Sequence, residues 1–324
     1  METTDTTNTR PTFDLLCTGT ALLDFIIRGF DPTPVTQTGF RAQSGALYVG
    51  GEAVNEAIGA AALGLRTAIL AFADTGVSGD IIASALTRAG VSTEYLMRLA
   101  EHPTPISTLF VEQDGSRHTI TNNAHSFNFH PERYTEALRS ARAVTLGSLF
   151  RAPYNDPDVL IETVRALPEE TLLFADTKQP NFRRLTLDDI REVLPRVDYI
   201  CPNVDEARFY TGRENPDEMA KVFLSYGVKN VIIKLGGEGS LLRNARERLR
   251  LNAFRVPVVD TTGAGDNFLA GFIWALLNGR DHEESLRFAN ACGAIVSTGV
   301  GASGIIQNQE QVEALLRTQP MGLQ

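Results

Sequence analysis

Asp260-Thr261-Thr262-Gly263-Ala264-Gly265-Asp266 is the stretch from which the fold can be read. Ahead of it, Phe254-Arg255-Val256-Pro257-Val258-Val259 is extended in character and rich in β-branched residues. Behind it, Phe268, Leu269, Phe272, Ile273 and Leu276 recur at helical spacing. The pattern predicts a strand, a turn of small residues and a helix start in direct succession. Unpaired N–H groups and the positive end of the macrodipole make a helix start a place for an anion. Glycines keep side chains out of the path of phosphate oxygens to those groups. Gly263, Ala264 and Gly265 are therefore expected to form an anion hole. A carboxylate inside such a hole repels phosphate. Asp266 makes better sense as the base that takes the proton of a hydroxyl attacking that phosphate. The plainer reading of Gly-x-Gly before a helix is a tight left-handed turn.

Outward from this stretch, apolar runs without polar alternation recur at 13–17, 68–73, 143–146, 172–175, 199–201 and 231–235. Strands of that kind are covered on both faces, as in a parallel sheet. Helical patterns fall between them at 54–63, 81–89, 132–141, 158–166 and 217–225. Such alternation predicts a doubly wound α/β fold, a mostly parallel sheet flanked by helices. No repeat, low-complexity tract or Pro/Gly/Ser linker divides the chain, so residues 13–310 are expected to form one domain. Two pieces break the rhythm. Phe25-Ile26-Ile27-Arg28-Gly29, followed by Pro32, Pro34 and Gly39, reads as an excursion from the core. Residues 107–112 and 117–121 flank Asp114-Gly115, a hairpin turn signal. Together, over about 24–48 and 104–124, they are expected to form a small separate sheet whose apolar face needs cover from substrate or from a second subunit.

The seven residues 260–266 resemble the signature of the ribokinase-like, or PfkB, family of carbohydrate kinases. The likeness extends over roughly 13–310 and implies roles for several further residues. Gly50-Gly51-Glu52-Ala53-Val54-Asn55-Glu56 is similar to the family's first signature, where the glycine pair and the asparagine contact the sugar. From the residues alone, Gly50 and Gly51 leave backbone N–H groups reachable, and Asn55 offers a donor and an acceptor, as a polyol requires. A capping role for Asn55 is the plainer alternative. Asp24 stands where the family commonly has a carboxylate accepting sugar hydroxyls. Asn203-Val204-Asp205-Glu206 resembles the family's N-x-x-E element, with Glu206 orienting Mg²⁺-bound water and Asn203 reaching the phosphates. The same residues would also make a helix cap. Lys234, Gly236 and Gly239 stand where the family lines ATP, and Asn290 where it contacts the base. Asp260, Thr262 and the loop 299–304 match segments that hold a monovalent cation such as K⁺ in many relatives. The small sheet matches a lid that is often paired between two subunits, which implies a homodimer.

The sequence also departs from the family. Residues 73–79 exchange the Asp and Gly of V-G-x-D-x-x-G, and Asp176-Thr177-Lys178 replaces D-x-N at the edge of the phosphate pocket. Glu52 and Glu56 add charge beside the sugar site, which argues against anionic acceptors.

Bulk properties set the remaining bounds. The 324 residues carry a net charge of −9 with 43% hydrophobic and 21% charged content, an ordinary globular balance that argues against a nucleic-acid partner. Arg243, Arg246, Arg248 and Arg250, interrupted by Glu247, read as a solvated turn. Cys17, Cys201 and Cys292 are far apart and fit free thiols in a reducing cytosol. The polar first ten residues are unlike a signal peptide, and the apolar run 268–277 is half of the ~20 residues a membrane span needs. The expectation is a cytoplasmic kinase using ATP and Mg²⁺ on a hydroxymethyl group of a small neutral sugar. The alternatives are a nucleoside kinase, with Phe110, Phe127 and Phe129 as a shelf for a base, and a sugar-acid kinase of the 2-keto-3-deoxygluconate type, with Arg117 as the lid cation. A non-catalytic sugar- or nucleotide-binding regulator is the rival from another class, and Asp266 argues against it.

Overall fold

The computed structural model of the protein describes residues 11–29, 42–112, 117–122, 129–180 and 184–319. The chain opens with β1 (Phe13–Thr18), β2 (Leu22–Arg28), β3 (Ser44–Gly50), α1 (Glu52–Ala62), β4 (Thr67–Ala73) and α2 (Val77–Arg88). Next come β5 (Leu96–Arg98), β6 (Ile106–Val111), β7 (Arg117–Thr121), α3 (Thr135–Leu138), β8 (Ala141–Leu149), α4 (Pro157–Ala166) and β9 (Leu172–Thr177). After these stand β10 (Tyr199–Ile200), α5 (Val204–Thr211), α6 (Pro216–Ser225), β11 (Asn230–Lys234), β12 (Ser240–Asn244) and β13 (Arg248–Leu251). Helices α7 (Ala264–Leu277), α8 (His282–Val296) and α9 (Gln309–Thr318) complete the chain.

Nine strands form the core sheet in the order β13-β12-β11-β10-β9-β8-β1-β4-β5. The pairs are parallel from β11 to β5, and only β11–β12 and β12–β13 are antiparallel. Side chains alternate across a strand, so a strand apolar at every position has a core on either side. In β4, Ile69, Ala71 and Ala73 enter one cluster with α1, α7 and α8. Ala68, Leu70 and Phe72 enter the other. This is the doubly wound α/β fold that the alternation predicts.

A second sheet of four strands, in the order β3-β2-β6-β7, stands apart from it. The hairpin of β6 and β7 is the predicted one, although Asp114 and Gly115 lie outside the described residues, as do Pro32, Pro34 and Gly39. Register sorts its side chains. Leu22, Asp24 and Arg28 share a face with Ser107, Leu109, Thr119 and Thr121, whereas Phe25, Leu47, Thr108 and Ile120 form a row on the opposite face. Phe25, Leu47 and Ile120 are exposed.

Three local expectations need correction. Residues 254–259 belong to no sheet, because Pro257 has no N–H to give a ladder and the edge strand β13 has already ended at Leu251. Residues 132–141 hold only a 3₁₀ turn, Pro131–Arg133, and the single turn α3, interrupted at Tyr134 (φ −101°, ψ 57°), and Ala141 already begins β8. Of the arginines around 243–250, only Arg246 lies in an exposed turn; Arg243, Arg248 and Arg250 lie on strands. Arg243 and Arg248 sit on the β12–β13 hairpin and both pair with Asp217, at 2.6 and 2.7 Å. The three cysteines are buried and free. Among the described residues, no helix is long and apolar enough to cross a membrane.

Candidate active site

Helix α7 starts at Gly263, which adopts the left-handed conformation (φ 73°, ψ 0°). A Cβ there would meet the backbone of Ala302 at 2.5–2.6 Å, so the turn admits only glycine. Asn267 clamps the turn from below, its Nδ2 donating to the carbonyls of Gly263 and Ala302 at 2.9 Å each. The first helical bond runs from Asn267 N to Gly263 O, so the N–H groups of Gly265 and Asp266 precede the ladder. The N–H of Ala264 is turned away and donates to Thr261 O at 3.2 Å. Of the three residues expected to form an anion hole, Gly265 and Asp266 are thus the ones whose N–H groups stand ahead of the ladder, with Gly263 as the pivot of the turn.

Asp266 is 6% exposed, and its Oδ2 accepts from Asn55 Nδ2 at 2.7 Å. That bond joins the first turn of α1 to the first turn of α7. Burial raises the Asp266 carboxyl above the usual carboxylate range, while Lys178 and the Asn55 amide pull it down. Asn55 is thus an orienting group and not a cap, and its Oδ1 is buried with no partner in the protein. Gly51, at φ 95°, caps α1 without a side chain and lines the cleft. A Cβ on Gly50 would lie 2.0 Å from Asp24 Oδ2, so its role is to make room for that carboxylate. Asp24 is pushed up to about 7 by burial first and then by the charges of Glu52, Asp266 and Asp260.

These groups line a cleft of about 600 Å³ between the core sheet and the small sheet. It lies at the carboxyl ends of the strands, where crossovers diverge and open α/β sheets bind their ligands. Ser107, Leu109, Thr119 and Thr121 close it from the small sheet. A second cavity of about 210 Å³ adjoins it and shares Lys234, Gly236, Thr261, Ala264 and Gly265 as walls. Gly239, Phe254, Val256, Phe268 and Asn290 line the rest of that cavity. Asn290 accepts from Ser240 Oγ at 3.1 Å, while its Nδ2 is buried and unpartnered. An apolar slot with one orphaned donor suits the flat face and ring nitrogen of a nucleobase.

Asn203 and Glu206 form the helix cap that their spacing allows. Asn203 Oδ1 accepts from the N–H groups of Asp205 and Glu206, and Glu206 Oε2 accepts from Asn203 N and Thr177 Oγ1, both at 2.9 Å. Both residues also line the cleft. Lys234 closes β11. Its Nζ lies 2.7 Å from Asp176 Oδ1 and 3.2 Å from where a Cβ on Gly265 would stand, beside the anion hole.

Lys178 was visible in the sequence only as a departure from D-x-N. It comes directly after β9, faces the cleft 3.8 Å from Glu52 Oε1, and is held protonated against burial by Asp266, Glu52 and Asp176. Its place just after a buried parallel strand was the available signal. Glu52 lines the cleft, balanced by Lys178. Glu56 does not face the sugar site as expected. It is fully buried, accepts from Thr145 Oγ1 at 2.5 Å, and burial and the neighbouring Asp176 raise its carboxyl well above the usual range. Phe129 packs in the core against Phe72 and Tyr134, and Phe110 lies on the face of β6 turned from the cleft, so neither is a shelf for a base. Phe127 and the Arg117 side chain lie outside what the structure describes. Asp260 and Thr262 do come together with the loop 299–304. Thr262 N and Oγ1 donate to Asp260 Oδ1, and Gly301 N donates to Oδ2 at 3.2 Å.

The arrangement can hold a nucleotide in the apolar cavity, its phosphates at the shared wall, and a polar acceptor under the small sheet beside Asp266. Known proteins resemble the chain over most of its length. It is 29% identical over 276 residues to the ribokinase of Haemophilus influenzae, covering 82% of this chain and 87% of that one. It is 25% identical over 300 residues to the ATP-dependent 6-phosphofructokinase of Thermoanaerobacterium thermosaccharolyticum, covering 90% and 89%. Arabidopsis thaliana ribokinase, solved with ribose and ATP, superposes with a TM-score of 0.81 at 26% identity, over 94% of this chain and 99% of that one. The family of pfkB carbohydrate kinases matches residues 13–309, and the chain belongs to that family.

Proposed function

We propose that the protein transfers the γ-phosphoryl group of ATP to a hydroxymethyl group of a small neutral sugar, with Asp266 as the base. The Asn55–Asp266 bond carries this reading. It fixes a buried, elevated carboxylate at the mouth of an anion hole and leaves Asn55 Oδ1 as an open acceptor beside it. The hydroxyls of Ser107, Thr119 and Thr121 on the small sheet, with Asp24, offer the mixed donors and acceptors that a polyol needs. The ribokinases that the chain resembles support the same reading. Mg²⁺ fits the residues present: Glu206 brings a carboxylate to the cleft wall beside Lys234 and Gly265, and behind it Asp176 Oδ2 is a buried oxygen without a partner. When bound, the ion would neutralise charge on the phosphates. Lys234 and Lys178 add fixed positive charge at the same wall.

The test is an ATP-coupled screen of pentoses, hexoses, sugar acids and nucleosides. A neutral sugar should give the highest kcat/KM. Preference for a nucleoside or a sugar acid would replace the acceptor assigned here. For the accepted sugar, KM should fall as pH rises through 7, because Asp24 is protonated below that value and a full acceptor above it.

Residues 13–310 act in this reading as one catalytic unit with the small sheet as lid. The row Leu47, Phe25, Thr108 and Ile120 leaves an apolar band on the lid's outer face. A second copy covers it best, so a homodimer is expected at micromolar concentration. Light scattering decides this, and a monomer mass would overturn it.

A further inference from the structure

Asp260 stands three residues ahead of the pivot Gly263, and a bare carboxylate there would oppose phosphate entering the anion hole. The structure meets that charge with a side chain of its own. Arg28, the last residue of β2, reaches from the lid until its guanidinium lies 3.6 Å from Asp260 Oδ2. The Arg28 side chain is 28% exposed and its Nε is buried without a partner. The contact is therefore that of a point charge set beside the carboxylate and not a bidentate fork.

This bears on the monovalent cation that the family resemblance implied. An ion bound by Asp260, Thr262 and the carbonyls of 299–304 would need the Asp260 carboxylate. Oδ1 is taken up by Thr262, and Oδ2 is shared by Gly301 N and the guanidinium. A second unit charge at coordinating distance would lie against Arg28 in a half-buried site, where like charges are poorly screened. The residues present do not fit K⁺.

We infer that Arg28 takes the place of the monovalent ion: its guanidinium is the built-in cation of the Asp260 loop, and the protein works without K⁺. Because Arg28 sits on the lid strand that also carries Asp24, the same contact ties the acceptor lid to the turn that shapes the anion hole. Arg28 is a positioning residue, since it reaches the reacting groups only through Asp260.

The rate arm of the test rests on the sugar-kinase reading, and a melting arm does not. Full-length protein is assayed in potassium, sodium and tetramethylammonium chloride at equal ionic strength. Wild-type turnover should agree within about twofold in all three salts, below the roughly 5–150-fold range typical of ligand coupling. Arg28→Ala should lose about fivefold or more in tetramethylammonium and recover most of it in K⁺, and Arg28→Lys should stay independent of K⁺. In parallel, K⁺ but not tetramethylammonium should raise the Tm of Arg28→Ala, because the ion binds only the folded state, and should leave wild type unchanged. The inference is overturned by K⁺ activation of the wild type beyond that twofold agreement, or by a wild-type rate for Arg28→Ala without K⁺. A loss in Arg28→Ala that no salt restores also overturns it, since a point charge would then not be the role. If no acceptor is phosphorylated, the kinase reading fails alone and the melting arm still decides: a K⁺-specific rise in wild type, or none in Arg28→Ala, overturns the inference.

Discussion

Asp266→Asn should lower turnover by on the order of 10²-fold or more while ATP and sugar still bind. The variant preserves the geometry on which the prediction depends. A carboxamide at position 266 can present its oxygen to Asn55 Nδ2, 2.7 Å away in the wild type, so the link between α1 and α7 survives. The N–H of residue 266 also survives, and with it half of the anion hole. What is lost is the basic oxygen. A sugar hydroxyl is a weak nucleophile whose proton must leave as the bond to phosphorus forms, and burial has raised the affinity of Asp266 for that proton. Turnover should therefore fall on the acid side as Asp266 becomes protonated, and that limb should vanish in the variant. Turnover of Asp266→Asn at the wild-type rate on the accepted sugar would remove the base assigned here.

How much of this was legible in the sequence depended on whether a residue's meaning was local. β1 and β4 announced themselves because both of their faces are buried, and an unbroken apolar run needs no partner to be recognised. The 260–266 turn was legible for the same reason, since the small residues, the carboxylate and the helix start lie within one stretch. Asn203 and Glu206 were legible as a cap, and Asn203 Oδ1 and Glu206 Oε2 are spent on it. Residues 254–259 misled because β-branched composition does not report whether a ladder partner is present. The lid's specificity was out of reach. Ser107 faces the cleft and Thr108 does not, and a register shift of one residue would exchange them. Arg28 read only as part of an excursion, and its pairing with Asp260 exists only once β2 has been laid beside β6 over the core. Glu56 was misplaced by the same limit: neighbours in a helix point in different directions, so Asn55 enters the cleft while Glu56 turns to Thr145.

Gly263 and Gly265 are two residues apart in one motif, yet their substitution should fail in different ways. At Gly263, alanine must hold φ near 73°, which costs about 1–2 kcal/mol for an L-residue. Its Cβ would also press on Ala302 O and Cα at 2.5–2.6 Å, atoms of the backbone that cannot swing aside. The turn must move, and the N–H groups of Gly265 and Asp266 move with it. Because a misplacement of 1 Å can cost about 10²-fold, Gly263→Ala should lower turnover by roughly that factor, and its Tm should fall. At Gly265 the nearest atom to a new Cβ is Lys234 Nζ at 3.2 Å, the far end of a flexible side chain. Gly265→Ala should therefore fold as wild type, whereas the branched Gly265→Val fills the wall shared by the two cavities and should raise the KM for ATP more than it lowers the Tm. Melting curves and initial rates on the variants separate the two roles. If Gly263→Ala keeps wild-type turnover, or if Gly265→Val binds ATP unchanged, phosphate does not sit at this turn.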